Sequence, residues 1–161
     1  MKTLVIYDSV FGNTEKIAQA IAAALDIQVI PVSQADSGQL RGLDLLVVGS
    51  PTRGFRPTEG ISKLFNGLPK NHLAGARVAA FDTRIVLETI DSKALRCLVD
   101  KGGYAANTIA KILVKRGGVL AVPAEGFFVI GEQGPLREGE LERAAAWIQK
   151  AWDREVLEAK S

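Results

Sequence analysis

Close to its N-terminus the chain reads Tyr7-Asp8-Ser9-Val10-Phe11-Gly12-Asn13-Thr14, between a short apolar run and an amphipathic helical pattern. Ser9, Asn13 and Thr14 supply hydroxyl and amide donors where that helix begins. The N–H groups of a first helical turn have no partner within the helix, and the helix dipole puts partial positive charge at the same place. Such a turn suits an anion, above all a phosphate, and needs no lysine to hold it. Gly12 lets the backbone approach the anion closely and take a positive φ if the turn requires one. The plainer reading is an ordinary helix start capped by Ser, Asn or Thr. Two well-known phosphate loops are excluded, since neither G-x-x-x-x-G-K-[ST] nor G-x-G-x-x-G is present.

A loop of this kind has to be delivered by a strand and received by a helix. The pattern predicts a strand over residues 3–7, then a helix with Ile17, Ile21, Ala24 and Leu25 on one face. Strands are expected at 27–32 and 43–49, with only a short helix between them over 34–42. Leu45-Leu46-Val47-Val48 is apolar at consecutive positions, as expected of a strand covered on both sides in a parallel sheet. After a loop over 50–59, a short helix at 61–66 and a fourth strand at 77–81 come next. Residues 84–103 carry no clear period beyond a candidate helix at 92–99. Ala105, Ile109, Ile112 and Leu113 form a helical stripe that stops at Gly117-Gly118, as paired glycines favour. The fifth strand is expected at 119–122, with 127–130 as a broken continuation of that edge. A last helix then carries Leu141, Ala145, Ile148 and Trp152. Strands alternating with helices predict a doubly wound α/β sandwich with five parallel strands.

With 161 residues, the chain suffices for one domain, expected over residues 1–161, that buries roughly 70% of its unfolded surface. The single cysteine, Cys97, allows no internal disulfide, and with one histidine, His72, a structural zinc site is not expected. Cys97 reads as a small buried apolar group, His72 as an exposed loop residue, and Trp147 and Trp152 as packing residues of the last helix. No apolar run approaches the ~18 residues of a membrane span. Met1-Lys2 leads straight into a strand without a signal-peptide pattern, so a cytoplasmic location is expected. The formal charge is +2, from 20 basic and 18 acidic residues scattered along the chain. Neither nucleic acid nor a membrane is an expected partner.

The stretch Ser9 to Thr14 resembles the first loop of the flavodoxin family, roughly [ST]-x-[ST]-G-[NQT]-T, which wraps the phosphate of FMN. "VVGSPTRG" at the end of the third strand is similar to that family's second flavin loop. "AAFDTRI" falls where its third belongs, and "GPLREGELERAAAW" resembles the lead into its last helix. The resemblance implies a flavodoxin-like fold with strand order 2-1-3-4-5 and FMN as cofactor. It implies that Ser9, Val10, Phe11, Gly12, Asn13 and Thr14 hold the phosphate. Pro51, Thr52, Arg53 and Gly54 would lie along the ribityl chain and one side of the ring, and Asp82, Thr83 and Arg84 on the other rim. The chain departs from the family at Phe11, where a hydroxyl residue is usual, and at Arg53, where many members place the stacking aromatic. The third loop has no tyrosine. Phe55, or the planar guanidinium of Arg53, is expected to take the stacking role.

The leading expectation is an electron carrier in which the flavin does the chemistry and the protein sets potential and docking. The alternative is a small FMN-dependent reductase acting on quinone-type acceptors with a nicotinamide donor. A signalling receiver domain shares the expected strand order but needs an aspartate at the end of strand 3 and a lysine at the end of strand 5, where this chain has Ser50 and Pro123. Arg53, Arg56 and Arg84, if they flank the ring, would favour reduced, negatively charged flavin and acidic docking partners. The plainer reading of each is solvated surface charge.

Overall fold

Consecutive apolar residues form strands with no wet side: Leu45, Leu46, Val47 and Val48 are all at 0% exposure. The computed structural model describes residues 1–52, 56–85 and 104–160. Its elements in chain order are β1 (Thr3–Tyr7), α1 (Asn13–Leu25), β2 (Val29–Pro31), β3 (Leu45–Pro51), α2 (Glu59–Asn66), β4 (Arg77–Ile85), α3 (Ala105–Lys115), β5 (Val119–Leu120), β6 (Glu125–Val129) and α4 (Glu140–Lys160). The sheet is parallel in the order β2-β1-β3-β4-β5, the doubly wound order expected, and β6 is an additional strand on β4.

Alternation along the strands divides the core in two. Leu4, Ile6, Leu46, Val48, Val78 and Ala80 pack against α2 and α3. Val5, Leu45, Val47, Ala79 and Phe81 pack against α1 and α4. Both faces are therefore covered, which is why these strands read as apolar runs rather than as alternating patterns. Phe81, Phe127 and Trp147 meet edge to face on the second side, with ring centroids 5.8 to 6.2 Å apart. Trp152 is partly buried against the same cluster.

Several expectations shift. The buried face of α1 uses Ala18 and Ala22, whereas Ala24 is exposed. The buried face of α4 is Ala144, Trp147, Ile148 and Ala151, and Leu141 is 41% exposed. The large Trp147 side chain, engaged with Phe81 and Phe127, sets the rotation of that helix. His72 is buried rather than exposed; its Nε2 donates to the Ser37 carbonyl at 2.6 Å and ties the segment before β3 to the turn before β4. Residues 34–42 form no α-helix, only a 3-10 turn at Gly38–Leu40 preceded by another at Val32–Gln34. The candidate helix at 92–99 and Cys97 lie outside the described residues.

The free edge of β4 carries two strands. β5 pairs with Arg77 and Val78, and β6 with the stretch from Phe81 to Ile85. The outer side of β6 is closed by the chain returning after it: Arg137 N–H donates to the Phe128 carbonyl, and Ile130 N–H to the Pro135 carbonyl. Another donor of this strand, Phe128 N–H, is taken by the buried Glu140 carboxylate at 2.8 Å. Glu140 also accepts from Arg137 and twice from Arg143, which in turn donates to the Gly126 carbonyl. One carboxylate thus joins the start of α4 to the edge of the sheet.

Burial alone would raise the Glu140 carboxyl. The hydrogen bond and charge of Arg143, the Phe128 N–H and Arg137 outweigh it and hold the group below its ordinary value of 4.5. The folded protein binds this proton less tightly than the unfolded chain does. The resulting stability is complete above the unfolded value and is lost as pH falls through the folded one. Glu140→Gln is expected to cost about 1.5–3 kcal/mol at neutral pH, the range for hydrogen bonds to a charged group. In urea denaturation followed across pH, the gap between parent and variant should close as pH falls below 4.5; a gap independent of pH would remove the carboxylate from this role.

Candidate functional site

The carboxyl ends of four strands converge on a cavity of about 370 Å³. After β1 it is lined by Val10, Phe11, Asn13 and Thr14, and at the end of β3 by Pro51 and Thr52. The end of β4 contributes Thr83, Arg84 and Ile85, and Val129 of β6 and Glu132 beyond it complete the wall. This is the position at which doubly wound sheets take ligands, outside the strand ends where the order reverses between β1 and β3.

The loop entering α1 is braced by its own atoms. Ser9 N–H donates to the Asp8 carboxylate at 2.9 Å, and Gly12 N–H donates to Ser9 Oγ at 3.0 Å. Gly12 itself has φ 92°, a left-handed conformation that L side chains rarely adopt. No side chain caps α1, so its first-turn N–H groups, which the helix cannot satisfy, stand at the mouth of the loop. Ser9 and Gly12 therefore shape the turn, while Asn13 and Thr14 reach the cavity wall.

Long-range hydrogen bonds fix the rest. Asn13 Nδ2 donates to the Gln133 carbonyl at 3.1 Å, tying α1 to the loop after β6. The hydroxyls of Thr14 and Thr83, both buried, lie 2.8 Å apart and join α1 to β4. One proton serves that bond and the other stays free to be donated, whichever threonine holds it. Thr52 N–H donates to the Thr83 carbonyl at 3.0 Å, so the β3 end is tied to the β4 end as well.

On β4, Asp82 and Arg84 face α3 while Thr83 between them faces α1. Asp82 is fully buried. It accepts two bonds from Arg84, Nε at 2.7 Å and a terminal nitrogen at 2.8 Å, and a third from Ala106 N–H at 2.9 Å. The Thr52 hydroxyl bonds to Asp82 and accepts from Ala105 N–H at 3.1 Å. Both groups thus cap the start of α3. The Arg84 guanidinium lies 3.4 Å from the centroid of the Tyr104 ring. Its other face rests on the Gly126 backbone, where an added methyl would fall inside it. Burial pushes the Asp82 carboxyl up, against the hydrogen bonds and charge of Arg84, Ala106 N–H and the Thr52 hydroxyl. Arg84 and Ala106 N–H can only donate to this group, so three of its hydrogen bonds suit the carboxylate form.

Of the residues expected at the site, Val10, Phe11, Asn13, Thr14, Pro51, Thr52, Thr83 and Arg84 line the cavity. Asp82, expected on the rim, is fully buried and does not itself line the cavity; it holds Arg84, which does, and the start of α3. Arg84 has no face left for a ligand ring, since Tyr104 and Gly126 cover both. Arg53, Gly54 and Phe55 lie outside the described residues. Ile85, Val129, Glu132, Tyr104 and Gly126 join the site beyond the expected set. Val129 is signalled by the second apolar run after the fifth strand, which ends beside β4; no local pattern marks the others.

The chain matches the model of the flavodoxin domain family over residues 4–111 and belongs to that family. Among solved structures, it is similar to oxidised Flavodoxin 2 from Bacillus cereus at 23% identity and a TM-score of 0.72, covering 96% of this chain and 99% of that one. A flavodoxin from the domain Archaea is 21% identical with a TM-score of 0.71, covering 95% and 98%. A WrbA-like protein from Agrobacterium tumefaciens is 17% identical with a TM-score of 0.65, covering 94% and 97%. At these identities the likeness is one of fold. A comparison with curated proteins by sequence gives no match.

The close approach of Gly126 to Arg84 is directly testable. Gly126→Ala should destabilise the protein by about 1–3 kcal/mol, as overpacking does. The loss should be smaller when Arg84 is already alanine, giving a coupling of about 0.5–3 kcal/mol in a double-mutant cycle read by denaturation. Additive losses would show that the two residues do not compete for the same space.

Proposed function

We propose that the protein binds FMN in this cavity, with the phosphate at the Ser9–Thr14 loop, and carries electrons between redox partners. The observation that carries this reading is the loop: a left-handed Gly12, a helix start without a side-chain cap, and Thr14 on the wall of a cavity formed by the strand ends. Membership of the flavodoxin domain family supports it. The residues present fit the cofactor. The polar end of the cavity offers first-turn N–H groups, the Asn13 amide and the threonine pair, while Val10, Phe11, Pro51, Ile85 and Val129 supply apolar walls for a flat ring. When bound, FMN accepts electrons singly or in pairs, and two electrons taken up with one proton add one negative charge.

The chain's own residues hold and orient. The α1 start neutralises phosphate charge through its N–H groups and dipole. The Thr14–Thr83 pair keeps one hydroxyl proton for the ligand. The bond from Asn13 to Gln133 keeps Glu132 and its loop against the cavity. We further propose that partner proteins present acidic docking surfaces. Arg84 is paired with Asp82, so among the described residues that proposal rests on the exposed Arg56.

Fluorescence titration of the apoprotein with FMN and with riboflavin tests the reading. FMN should bind at least ten to a hundredfold more tightly, since one or more hydrogen bonds to a charged group, each about 1.5–3 kcal/mol, serve the phosphate. Equal affinities would overturn the placement of the phosphate. Thr14→Val should weaken FMN while leaving riboflavin nearly unchanged; equal weakening of both would assign Thr14 to packing alone.

A further inference from the structure

Arg84 is the cation on the cavity wall at the end of β4, and its charge does not stand alone. The Arg84 side chain is only 16% exposed; its guanidinium forms two hydrogen bonds to the Asp82 carboxylate, whose side chain is at 0% exposure, and is clamped between Tyr104 and the Gly126 backbone. Asp82 is held on its other side by Ala106 N–H. Neither partner can swing into solvent to be screened, so each charge would act strongly on anything bound nearby if the other were removed.

We propose that the Asp82–Arg84 pair is a charge-balance element of the cofactor site. Asp82 cancels the Arg84 cation, making the β4 wall electrically neutral toward the bound group, and the pair as a unit sets the reduction potential. This rests on the FMN reading above. Because two-electron reduction with one proton adds one negative charge, a lone Arg84 would favour the reduced form and a lone Asp82 would oppose it. The two residues act through charge at the wall and are positioning residues rather than catalytic ones. The same pair fixes the start of α3, so charge and architecture have to be separated by the sign of the effect.

The experiment uses the FMN-loaded parent, Arg84→Gln, Asp82→Asn and the double variant, each checked for folding by circular dichroism. Each is equilibrated with a reference dye at one ambient potential, and the ratio of reduced to oxidised flavin is read from its absorbance. Arg84→Gln should lower that ratio, and Asp82→Asn raise it, by about tenfold or more, which is ~30 mV for a two-electron couple. The double variant, neutral again, should return to the parental ratio. Single variants that shift in the same direction, or not at all, would overturn the proposal, as would a double variant that does not return. If Asp82→Asn does not fold, Arg84→Lys takes its place: it keeps the cation and should keep the parental ratio, and a fall matching Arg84→Gln would overturn the proposal. A parent that fails to bind FMN in titration overturns the underlying reading, whereas a parent that binds while the variants fail to separate overturns only the charge balance.

Discussion

Side chains of a strand alternate between two faces, and in this sheet both faces are covered by helices. The consequence is clearest along β4. Through Phe81 it supplies apolar residues to the two halves of the core, and then come three polar residues while the strand is still inside the protein. Buried polar groups have to be hydrogen-bonded, so Thr83 and Asp82 each recruit a different element. Thr83 binds Thr14 of α1 on one side and, through its carbonyl, the Thr52 backbone. Asp82 binds the first turn of α3 on the other, and Arg84 completes Asp82. The walls of the cavity stand where they do because the end of β4 has these demands to meet.

The same logic gives the site its rigidity. Most residues at the cavity belong to strand ends and helix starts, elements more precise in position than free loops. Of the segments without regular structure there, the one around Gln133 is tied back to Asn13. The turn entering α1 is braced by Ser9 and Asp8 rather than by a lysine.

The features legible in the sequence are local ones. The apolar runs of β1 and β3, the turn at Gly12 and the helix end at Gly117-Gly118 each show within a few residues, and alternation of strand and helix then limits the topology to a few choices. The missed features are long-range. Arg84 and Tyr104 are 20 positions apart in the numbering, and nothing near either announces a stacked pair. The rotation of α4 comes from Trp147 meeting Phe81 and Phe127, which no single helical wheel contains. His72 sits beside Pro69 in a turn and reads as surface; only the Ser37 carbonyl, far away in sequence, explains its burial. Asp82 and Thr83 differ by one position and face opposite sides of the sheet, a distinction that a motif spanning both cannot express.

The margins of the sheet have a bearing on how the molecule behaves in company. Unpaired strand edges can template addition of another chain. Here β2 is three residues long and ends in Pro31, which has no N–H to offer. On the opposite side β5 is two residues long, and the backbone of β6 is occupied by the returning chain and by the Glu140 carboxylate. Among the described residues, splitting the last strand in two thus leaves neither margin with a long free ladder, so the connectivity that builds the fourth wall of the cavity also guards these edges against edge-to-edge pairing.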